Sequence, residues 1–532
     1  MKKQLKNFVL TLGICMATFS VSAQQVNTLY FLENAPVRHY MNPSFQPLSG
    51  FYFGIPVLGY SQFGIGNNSI TFNSLLSNKP TLFNSLRPTT LLRTDLQLNL
   101  LDFGFRHKSA YWTFSLTEKV DAQIGLPKDF FKLAMFGTEE IENNVFDMSS
   151  MNVNMNAYTE AALGYSKELN KKWNVGAKLK FLYGSANVSA SFDQFELISG
   201  YEQWSLKANG NVRQSSPVKL NIGENFQPIT TEFDPTNITN LTSPAGIGGA
   251  IDLGATFKPI EALTIAAAVT DLGLIRWSKN TSTISAGVDY TFGGAMLDGE
   301  SLLGGNVNMQ TLTDSILNSL DQAQASSVSS SAYSTYISPK LNLSAEYGVW
   351  DNKVSLGILS RTMMQKQAMY EELTASLNLR PANWFNMALS YSLLNGRASN
   401  IGAGIGMRIG FINAFLSADY IPLRYGALPL SEVGMSPIDV SNVPLLSSLG
   451  TITKVNVPLN TDRFNVAVGF NIVFGNRPDK DHDGVKNYND ICPKTPRGVI
   501  VDAKGCPVDT DGDGVIDSTE KTATLAAYAY LK

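Results

Sequence analysis

The stretch Phe464-Asn465-Val466-Ala467-Val468-Gly469-Phe470-Asn471-Ile472-Val473-Phe474 decides the fold. Bulky apolar residues stand at every even position, and most odd positions hold a small or polar residue. Successive side chains of a β-strand point to opposite faces, so this strand has one apolar and one polar face. Such a strand suits a sheet that meets lipid on one side and a polar interior on the other.

The same two-residue alternation recurs along the chain in segments of roughly ten residues, the length and period of a tilted transmembrane β-strand. Clear examples are 159–166, 173–181, 341–347, 373–380 and 385–391. Short turns at 350–352 and 381–383 indicate consecutive antiparallel hairpins. We therefore predict an all-β fold, a transmembrane antiparallel β-barrel of about 14 strands that occupies residues 24–476.

The first residues have the layout of a secretory signal peptide. Lys2, Lys3 and Lys6 precede an apolar stretch that ends at Val21-Ser22-Ala23. We expect residues 1–23 to be removed and the mature chain to begin at Gln24. Cys15 lies inside the apolar stretch, and its use as a lipid anchor is the alternative that we favour less.

Composition agrees with an exported barrel. Only 16% of the residues are charged, compared with roughly 25% in soluble domains, and 44% are hydrophobic. No apolar run after Ala23 reaches the roughly 18 residues of a spanning helix, and a chain without such helices crosses a bilayer only as a closed barrel. A net charge of -3 does not indicate a nucleic-acid partner. A secreted soluble sandwich or propeller is the competing architecture.

The alternation of inward and outward side chains along each strand, which we call strand parity, places three charged residues on the inner face. Glu160, Lys178 and Lys180 all stand at positions that alternate with outward apolar residues. We name them as lumenal candidates. An ion pair that fills and rigidifies the barrel is favoured over a substrate site.

Three stretches break the alternation. Residues 126–136 begin with Leu-Pro-Lys-Asp and predict a short helix in a loop or plug. Residues 310–324 predict a second helix, and 422–457 predict a long extended loop. Long loops at one barrel end are the usual place for gating or ligand contacts.

Composition changes at Arg477-Pro478, where a module of acidic loops begins. Residues 479–490 and 509–520 share oxygen donors at loop positions 1, 3, 5, 9 and 12 and a glycine at position 6. This spacing is typical of calcium loops, in which position 7 contributes a backbone carbonyl. An acidic solvated linker is the alternative. The predicted Ca²⁺ ligands are Asp479, Asp481, Asp483, Val485, Asn487, Asp490, Asp509, Asp511, Asp513, Val515, Asp517 and Glu520.

Cys492 and Cys506 are the two cysteines of the mature chain, and they bracket a segment between the loops. In an oxidising periplasm we expect a disulfide, worth about 3 kcal/mol for a loop of about 15 residues. Zinc is disfavoured, because His482 is the one histidine nearby. The other histidines, His39 and His107, are distant and no nucleophile motif accompanies them, so we do not expect an enzyme.

The tail resembles the thrombospondin type 3 repeats that join a barrel to a peptidoglycan-binding domain in OmpA-family proteins. The residues that carry this likeness are the Asp-x-Asp-x-Asp-Gly-Val loops and the linking Cys492-Pro493-Lys494-Thr495-Pro496. The resemblance implies calcium binding in the periplasm, and Asn487 departs from the usual Asp. The peptidoglycan-binding domain is not found in residues 521–532, so we expect an unanchored tail, a truncated reading frame or an anchor supplied by a partner.

The barrel region is similar in style to FadL-like and PorP-like outer-membrane barrels. The likeness rests on Met41-Asn42-Pro43, Leu126-Pro127-Lys128-Asp129 and Asp271-Leu272-Gly273-Leu274-Ile275-Arg276-Trp277. It implies a location in the outer membrane and a fold, and it does not imply a substrate.

The leading functional hypothesis is a non-enzymatic pore or ligand channel in the cell outer membrane with a periplasmic calcium-binding extension. The alternative is a structural or secretion-associated scaffold whose barrel is plugged. An outer-membrane enzyme is the least favoured class. Expected partners are outer-membrane lipid and peptidoglycan-associated or other envelope proteins.

Overall fold

The computed structural model describes the chain from residue 26 onward, with gaps. The described residues are 26–75, 77–137, 144–200, 203–217, 220–221, 230–231, 243–293, 326–350, 352–364, 369–382, 384–394, 397–421, 425–429, 438–439, 451–458, 462–475, 485, 491–492, 495–496, 499–502, 504–509 and 516. The predicted signal peptide, the start at Gln24 and the predicted helix over 310–324 lie outside them.

Most of the described chain is β-structure, and helices are few and short. The strands are β1 (Phe51–Gly54), β2 (Ser61–Asn67), β3 (Thr89–His107), β4 (Ala110–Pro127), β5 (Asn144–Asp147), β6 (Asn152–Glu168), β7 (Trp173–Ser199), β8 (Gln203–Ser215), β9 (Leu220–Asn221), β10 (Thr230–Thr231), β11 (Gly246–Ile260), β12 (Leu263–Trp277), β13 (Ser282–Gly293), β14 (Ser326–Ser329), β15 (Tyr333–Tyr336), β16 (Lys340–Val349), β17 (Val354–Met364), β18 (Met369–Ala382), β19 (Phe385–Leu394), β20 (Arg397–Ile409), β21 (Ile412–Asp419), β22 (Tyr425–Pro429), β23 (Ile438–Asp439), β24 (Thr451–Ile452), β25 (Lys454–Pro458) and β26 (Arg463–Phe474). The helices are two short 3-10 turns (Thr28–Phe31 and Pro36–Tyr40) and α1 (Phe72–Leu75), α2 (Lys79–Ser85) and α3 (Lys128–Phe136).

Antiparallel pairing closes the sheet on itself into a barrel of 14 strands. The first wall strand is β1 followed by β2, and both pair with β3 on one side and with β26 on the other. The wall then runs through β3, β4, β6, β7, β11, β12, β16, β17, β18, β19, β20, β21 and β26. The predicted fold class and strand number are confirmed.

The two faces of β26 differ as the alternation predicts. Phe464, Phe470 and Phe474 are exposed on the outside, whereas Asn465 and Asn471 are buried on the inside. Leucines, isoleucines and aromatic residues are exposed in the same way on most other wall strands. The outer face is therefore apolar and the inner face polar, as expected of a transmembrane barrel.

The two ends of the barrel are different. Consecutive wall strands join through short turns at one end, such as Lys108–Ser109 between β3 and β4, and we name this the short-turn end. The opposite end, which carries α1, α2, α3 and the longer connections, is the long-loop end. One turn was misplaced by the sequence prediction, because β18 continues to Ala382 before the chain reverses.

Several strands exceed the predicted ten residues, and β7 has 27. Its first part pairs with β6 and β11 in the wall, and its later part pairs with β5 and β8. The pairs β8–β13 and β13–β14 extend this region. The sheet therefore continues past the wall at the long-loop end, which strand periodicity alone does not reveal.

The predicted helix over 126–136 is present as α3 after β4. It ends at Gly137, whose φ of 70° favours glycine. Most of the predicted loop over 422–457 lies outside the described residues, but the pairs β22–β25 and β23–β24 lie in or beside it. No helix among the described residues has the length and apolar character that crossing a membrane requires.

Residues 26–50, which we name the plug, lie inside the barrel. Their apolar side chains form a buried cluster with Leu359, Ala388, Phe415 and Ala467, which belong to β17, β19, β21 and β26. Ser44 of the plug contacts β7 and β11 on the opposite part of the wall. The part of 24–476 that is described thus divides into a plug and a wall, a division that the sequence prediction did not make.

Candidate functional site

The N-terminal end of the plug is held by a buried polar cluster. The carboxylate of Asp419 accepts hydrogen bonds from the Asn27 amide N–H and from the Thr28 hydroxyl. The Thr28 hydroxyl also lies 2.5 Å from Ser390 Oγ. Arg361 donates to the Asn27 side chain. This end is therefore joined to three wall strands through charged or hydroxyl groups.

The middle of the plug is joined to the wall through aromatic and acidic side chains. The Tyr52 hydroxyl donates to Asp102 over 2.8 Å, so it accepts from His39 Nε2 at 2.7 Å. Asn99 donates to the Tyr40 hydroxyl at 2.8 Å and to Asp102 at 3.0 Å. All five side chains are buried. Such a polar network holds one arrangement because each lost bond would leave a buried group unpaired.

One hydroxyl group and two backbone carbonyls of the plug contact further positions of the wall. Ser44 lies 2.6 Å from Thr256 Oγ1 on β11, and its carbonyl accepts from Asn174 on β7. The Asn34 carbonyl accepts from Asn413 on β21 at 3.0 Å. Wall strands all around the barrel thus contribute to holding the plug.

Inward glycines make room for the plug. A Cβ at Gly176 would meet the backbone of Pro43 and would lie 2.6 Å from Ser44 N. A Cβ at Gly404 would lie 2.9 Å from Leu32 Cδ1. Because the atoms near Gly176 belong to the backbone, that position excludes any larger residue while the plug is in place, whereas at Gly404 the Leu32 side chain would have to shift.

Beside the plug lies a buried cluster of charges. Lys180 Nζ is 2.7 Å from Asp252, 2.6 Å from Asp271 and 3.6 Å from Glu160. Lys119 Nζ is 2.7 Å from Glu160 and 3.7 Å from Asp271. Each of these side chains is at least 87% buried. Groups so buried are stable as ions only when they are paired, and here they pair with one another.

A cavity adjoins this cluster. It has a volume of about 40 Å³ and is partly open to its surroundings. Six charged side chains line it, three of each sign, together with a few polar and apolar groups. The charged residues are Arg93, Asp95, Lys119, Asp121, Asp271 and Lys340. Such a lining accommodates polar or charged solutes and disfavours apolar ones.

The three lumenal candidates lie where parity placed them. Glu160, Lys178 and Lys180 are all buried inside the barrel, and Lys180 is close to Glu160. Lys178 makes no ion pair or hydrogen bond among the described residues, and its Nζ lies 4.0 Å from the centre of the Tyr40 ring. It therefore contacts the plug.

Sequence reasoning missed most partners of this cluster. Lys119, Asp252, Asp271 and Lys340 stand on four different strands. The parity of each strand could have marked them as inward charges. Which of them meet depends on the register between strands, and the sequence does not state that register.

The tail contains the predicted disulfide between Cys492 and Cys506. Asp502 accepts backbone N–H bonds from Lys504 at 2.8 Å and from Cys506 at 3.0 Å, and these bonds lower the pKa of its carboxyl group. Of the twelve predicted calcium ligands, Val485 and Asp509 are the two described, and the others lie outside the described residues. No cluster of three or more metal-ligating side chains occurs in the described part of the chain.

Comparison with known families gives a match over most of the barrel. A model described as a family of unknown function (DUF5723) matches residues 43–419. The chain belongs to this family. The DUF5723 match covers the last part of the plug and the wall from β1 to β21. A comparison with curated proteins gives no match.

Solved structures similar to this DUF5723 chain include a FadL homologue and two toluene transporters. A FadL homologue of Pseudomonas aeruginosa is 9% identical with a TM-score of 0.37, and the match covers 86% of this chain and 100% of that one. The toluene transporter TodX of P. putida is 8% identical with a TM-score of 0.36, covering 84% and 94%. The toluene transporter TbuX of Ralstonia pickettii is 8% identical with a TM-score of 0.35, covering 82% and 93%. At these TM-scores we draw no argument from the likeness.

Proposed function

We propose that this chain is an outer-membrane channel for small polar solutes, with the plug in its closed position. A closed barrel satisfies every backbone hydrogen bond of its wall, and the exposed apolar residues of the outer face suit lipid. The predicted signal peptide provides export. The role that we propose is transport and does not include catalysis.

The cavity beside the plug carries the proposal. Its six charged side chains form a polar compartment inside the barrel. A barrel that served only as a support would need no such space, since apolar packing fills an interior at lower cost than buried charges do. We infer that solutes enter this compartment and pass when the plug moves.

The orientation follows from the two barrel ends. Outer-membrane barrels place short turns in the periplasm and longer loops outside the cell. The short-turn end of this barrel carries Phe474, so we propose that the tail after Arg477 extends into the periplasm. There its acidic loops would bind Ca²⁺ and stiffen a spacer toward peptidoglycan or another envelope protein.

One observation favours a second candidate, a scaffold whose barrel stays plugged. The plug shares a buried apolar cluster with four wall strands and is bound to the wall by many hydrogen bonds. Moving it would expose much of this surface. A permanently plugged barrel would position the tail and its partners without transport.

Planar-bilayer recordings of the purified full chain distinguish the two. Folded protein is first identified as a gel band whose mobility changes on heating, and the heated protein is the control. Discrete conductance steps, seen with folded protein and lost on heating, are the expected result. A folded protein that inserts but remains silent over the whole voltage range would exclude the channel and favour the scaffold.

A further inference from the structure

Two rows of inward side chains cross three adjacent strands at the cavity. In the first row Asp95 on β3 stands opposite Asp121 on β4, and Asp121 stands opposite Asn156 on β6. In the second row Gln97 stands opposite Lys119, and Lys119 stands opposite Tyr158. All six residues line the cavity.

The first row is an incomplete electrostatic arrangement. Side chains directly opposite in an antiparallel pair lie about 5 Å apart at Cβ, and like charges there destabilise the sheet. Arg93 lies 3.5 Å from Asp121, whereas Lys340, Arg93 and Lys119 act on the charge of Asp95 only from beyond 4.0 Å. A positively charged group between Asp95 and Asp121 would relieve the repulsion and find oxygen acceptors on both sides.

The second row provides an independent indication of a ligand. Gln97 is only 3% exposed and lines the cavity, yet its side-chain nitrogen has no hydrogen-bond partner among the described residues. A buried donor of this kind destabilises the fold unless something accepts from it. Beside it, Lys119 is ion-paired with Glu160 and Asp271, but an ammonium group has three donors and lines the cavity as well.

We infer that the cavity binds a small zwitterion of the α-amino acid type. Its ammonium group would lie between Asp95 and Asp121, and its carboxylate would accept from Gln97 and face Lys119. Residues two apart on one face of a strand are separated by about 7 Å, which is the span that such a molecule bridges with a hydrogen bond at each end. Tyr158, Ile337 and Met363 leave an apolar wall for a side chain.

The charges that line the cavity favour a zwitterion over an apolar solute and over a simple anion. An apolar solute would desolvate six charged side chains without bonding to them. A simple anion would approach the Asp95–Asp121 pair and be repelled. A molecule with both signs close together satisfies the acidic row and the donor row at once. This inference names the solute of the proposed channel and so rests on that function.

Equilibrium dialysis of the folded full chain in detergent tests the site directly. The probe is an equimolar mixture of the common free amino acids, and each retained species is quantified. Ethanolamine and acetate, which carry one charge each, are tested separately. We expect saturable retention of at least one amino acid and retention at least about tenfold weaker for the single-charge compounds, because each loses a bond to a charged group.

Variants assign the retention to the two rows. Asp95→Asn and Gln97→Leu should each weaken it by about tenfold or more, with the heat-modifiable band unchanged. The matched control is Asp289→Asn, which removes a carboxylate that is 73% exposed on β13, far along the chain from the cavity strands. It should bind like the wild type.

The outcomes separate the site from the channel. No retained amino acid, or equal retention by Asp95→Asn and wild type, would overturn the site even if the protein conducts ions. Amino-acid retention that depends on Asp95 and Gln97 in a protein that is silent in bilayers would support the site and exclude the channel.

Discussion

Thr28 and Asp419 are separated by 391 residues in the chain and are joined by a buried hydrogen bond. Thr28 stands in the first turn of the plug, and Asp419 is the last residue of β21. Both side chains are at most 3% exposed. The N-terminal segment thus completes the hydrogen bonding of the barrel interior, and the two parts are expected to stabilise each other.

Replacing Thr28 with Val should loosen the N-terminal end of the plug. The variant leaves Ser390 and the Asp419 carboxylate short of a partner in a buried place, at a cost of about 1–3 kcal/mol. Hydrogen exchange of residues 26–35 should become faster, and exchange of the wall should change little. Thr291→Val, at an exposed position of β13, is the matched control. Unchanged exchange in Thr28→Val would refute the contact.

Gly176→Ala should displace the turn at Pro43–Ser44. The added methyl would meet plug backbone, which cannot rotate away as a side chain can. Overpacking of this kind costs about 1–3 kcal/mol. Gly287→Ala is the control, because nothing lies within 4 Å of the Cβ that it adds. Urea unfolding followed by the heat-modifiable band should show a lower midpoint for Gly176→Ala only, and equal midpoints would argue against this plug position.

Two neighbouring lysines should respond differently to replacement by Met. Lys180→Met leaves Asp252 without the ion pair that it makes among the described residues and removes one of the three ion pairs of Asp271, so a loss of about 3–5 kcal/mol is expected. Lys178→Met removes a buried ammonium that has no ion pair among the described residues, and the thioether of Met can pack on the Tyr40 ring in its place. The free energy of unfolding should then change by less than about 1 kcal/mol.

Denaturant titration of both lysine variants checks this contrast. Each is compared with the wild type under the same detergent and salt. Similar losses for the two variants would contradict the assignment of Lys180 as the hub of the cluster.

Calcium should protect the tail from trypsin. The segment after Arg477 contains Lys480, Lys486, Lys494, Arg497 and Lys504 as cleavage sites. Binding of Ca²⁺ to the two acidic loops should fix the backbone at the first two of these sites and slow cleavage several-fold.

Chelator, Mg²⁺ and a variant with Asp481→Asn and Asp511→Asn provide the comparison for the tail. Each should restore fast cleavage. Cleavage that is equally fast with and without Ca²⁺ would leave the tail as an acidic linker closed by the Cys492–Cys506 disulfide.

The wall of the barrel could be predicted because the alternation of apolar and polar residues lies within each single strand. Side chains of a strand alternate between the two faces of a sheet. Because one face meets lipid and the other meets the interior, the alternation is visible in a single sequence, as in Phe464 to Phe474. The same parity placed Glu160, Lys178 and Lys180 inside. Alternation indicates that a strand faces a polar interior, but it does not tell how that interior is filled.

The plug was not predictable from periodicity, since residues 26–50 form two short 3-10 turns and irregular chain. The sequence of wall strand β20 nevertheless contains a feature that indicates the plug. Gly402, Gly404 and Gly406 alternate on β20, each at an inward position where a Cβ would meet a plug side chain. Small residues in a row on the inner face indicate that another segment packs there.

The most direct test of the account is a reversible covalent link between plug and wall. Thr28 Oγ1 and Ser390 Oγ lie 2.5 Å apart, so the variant Thr28→Cys with Ser390→Cys should form a disulfide with little movement. Single variants and the wild type, treated with the same reductant, control for the native disulfide of the tail. The account predicts a silent barrel when the link is oxidised and conductance steps when it is reduced. Equal conductance in both states would contradict a plug that closes the lumen, and silence in both would contradict the channel.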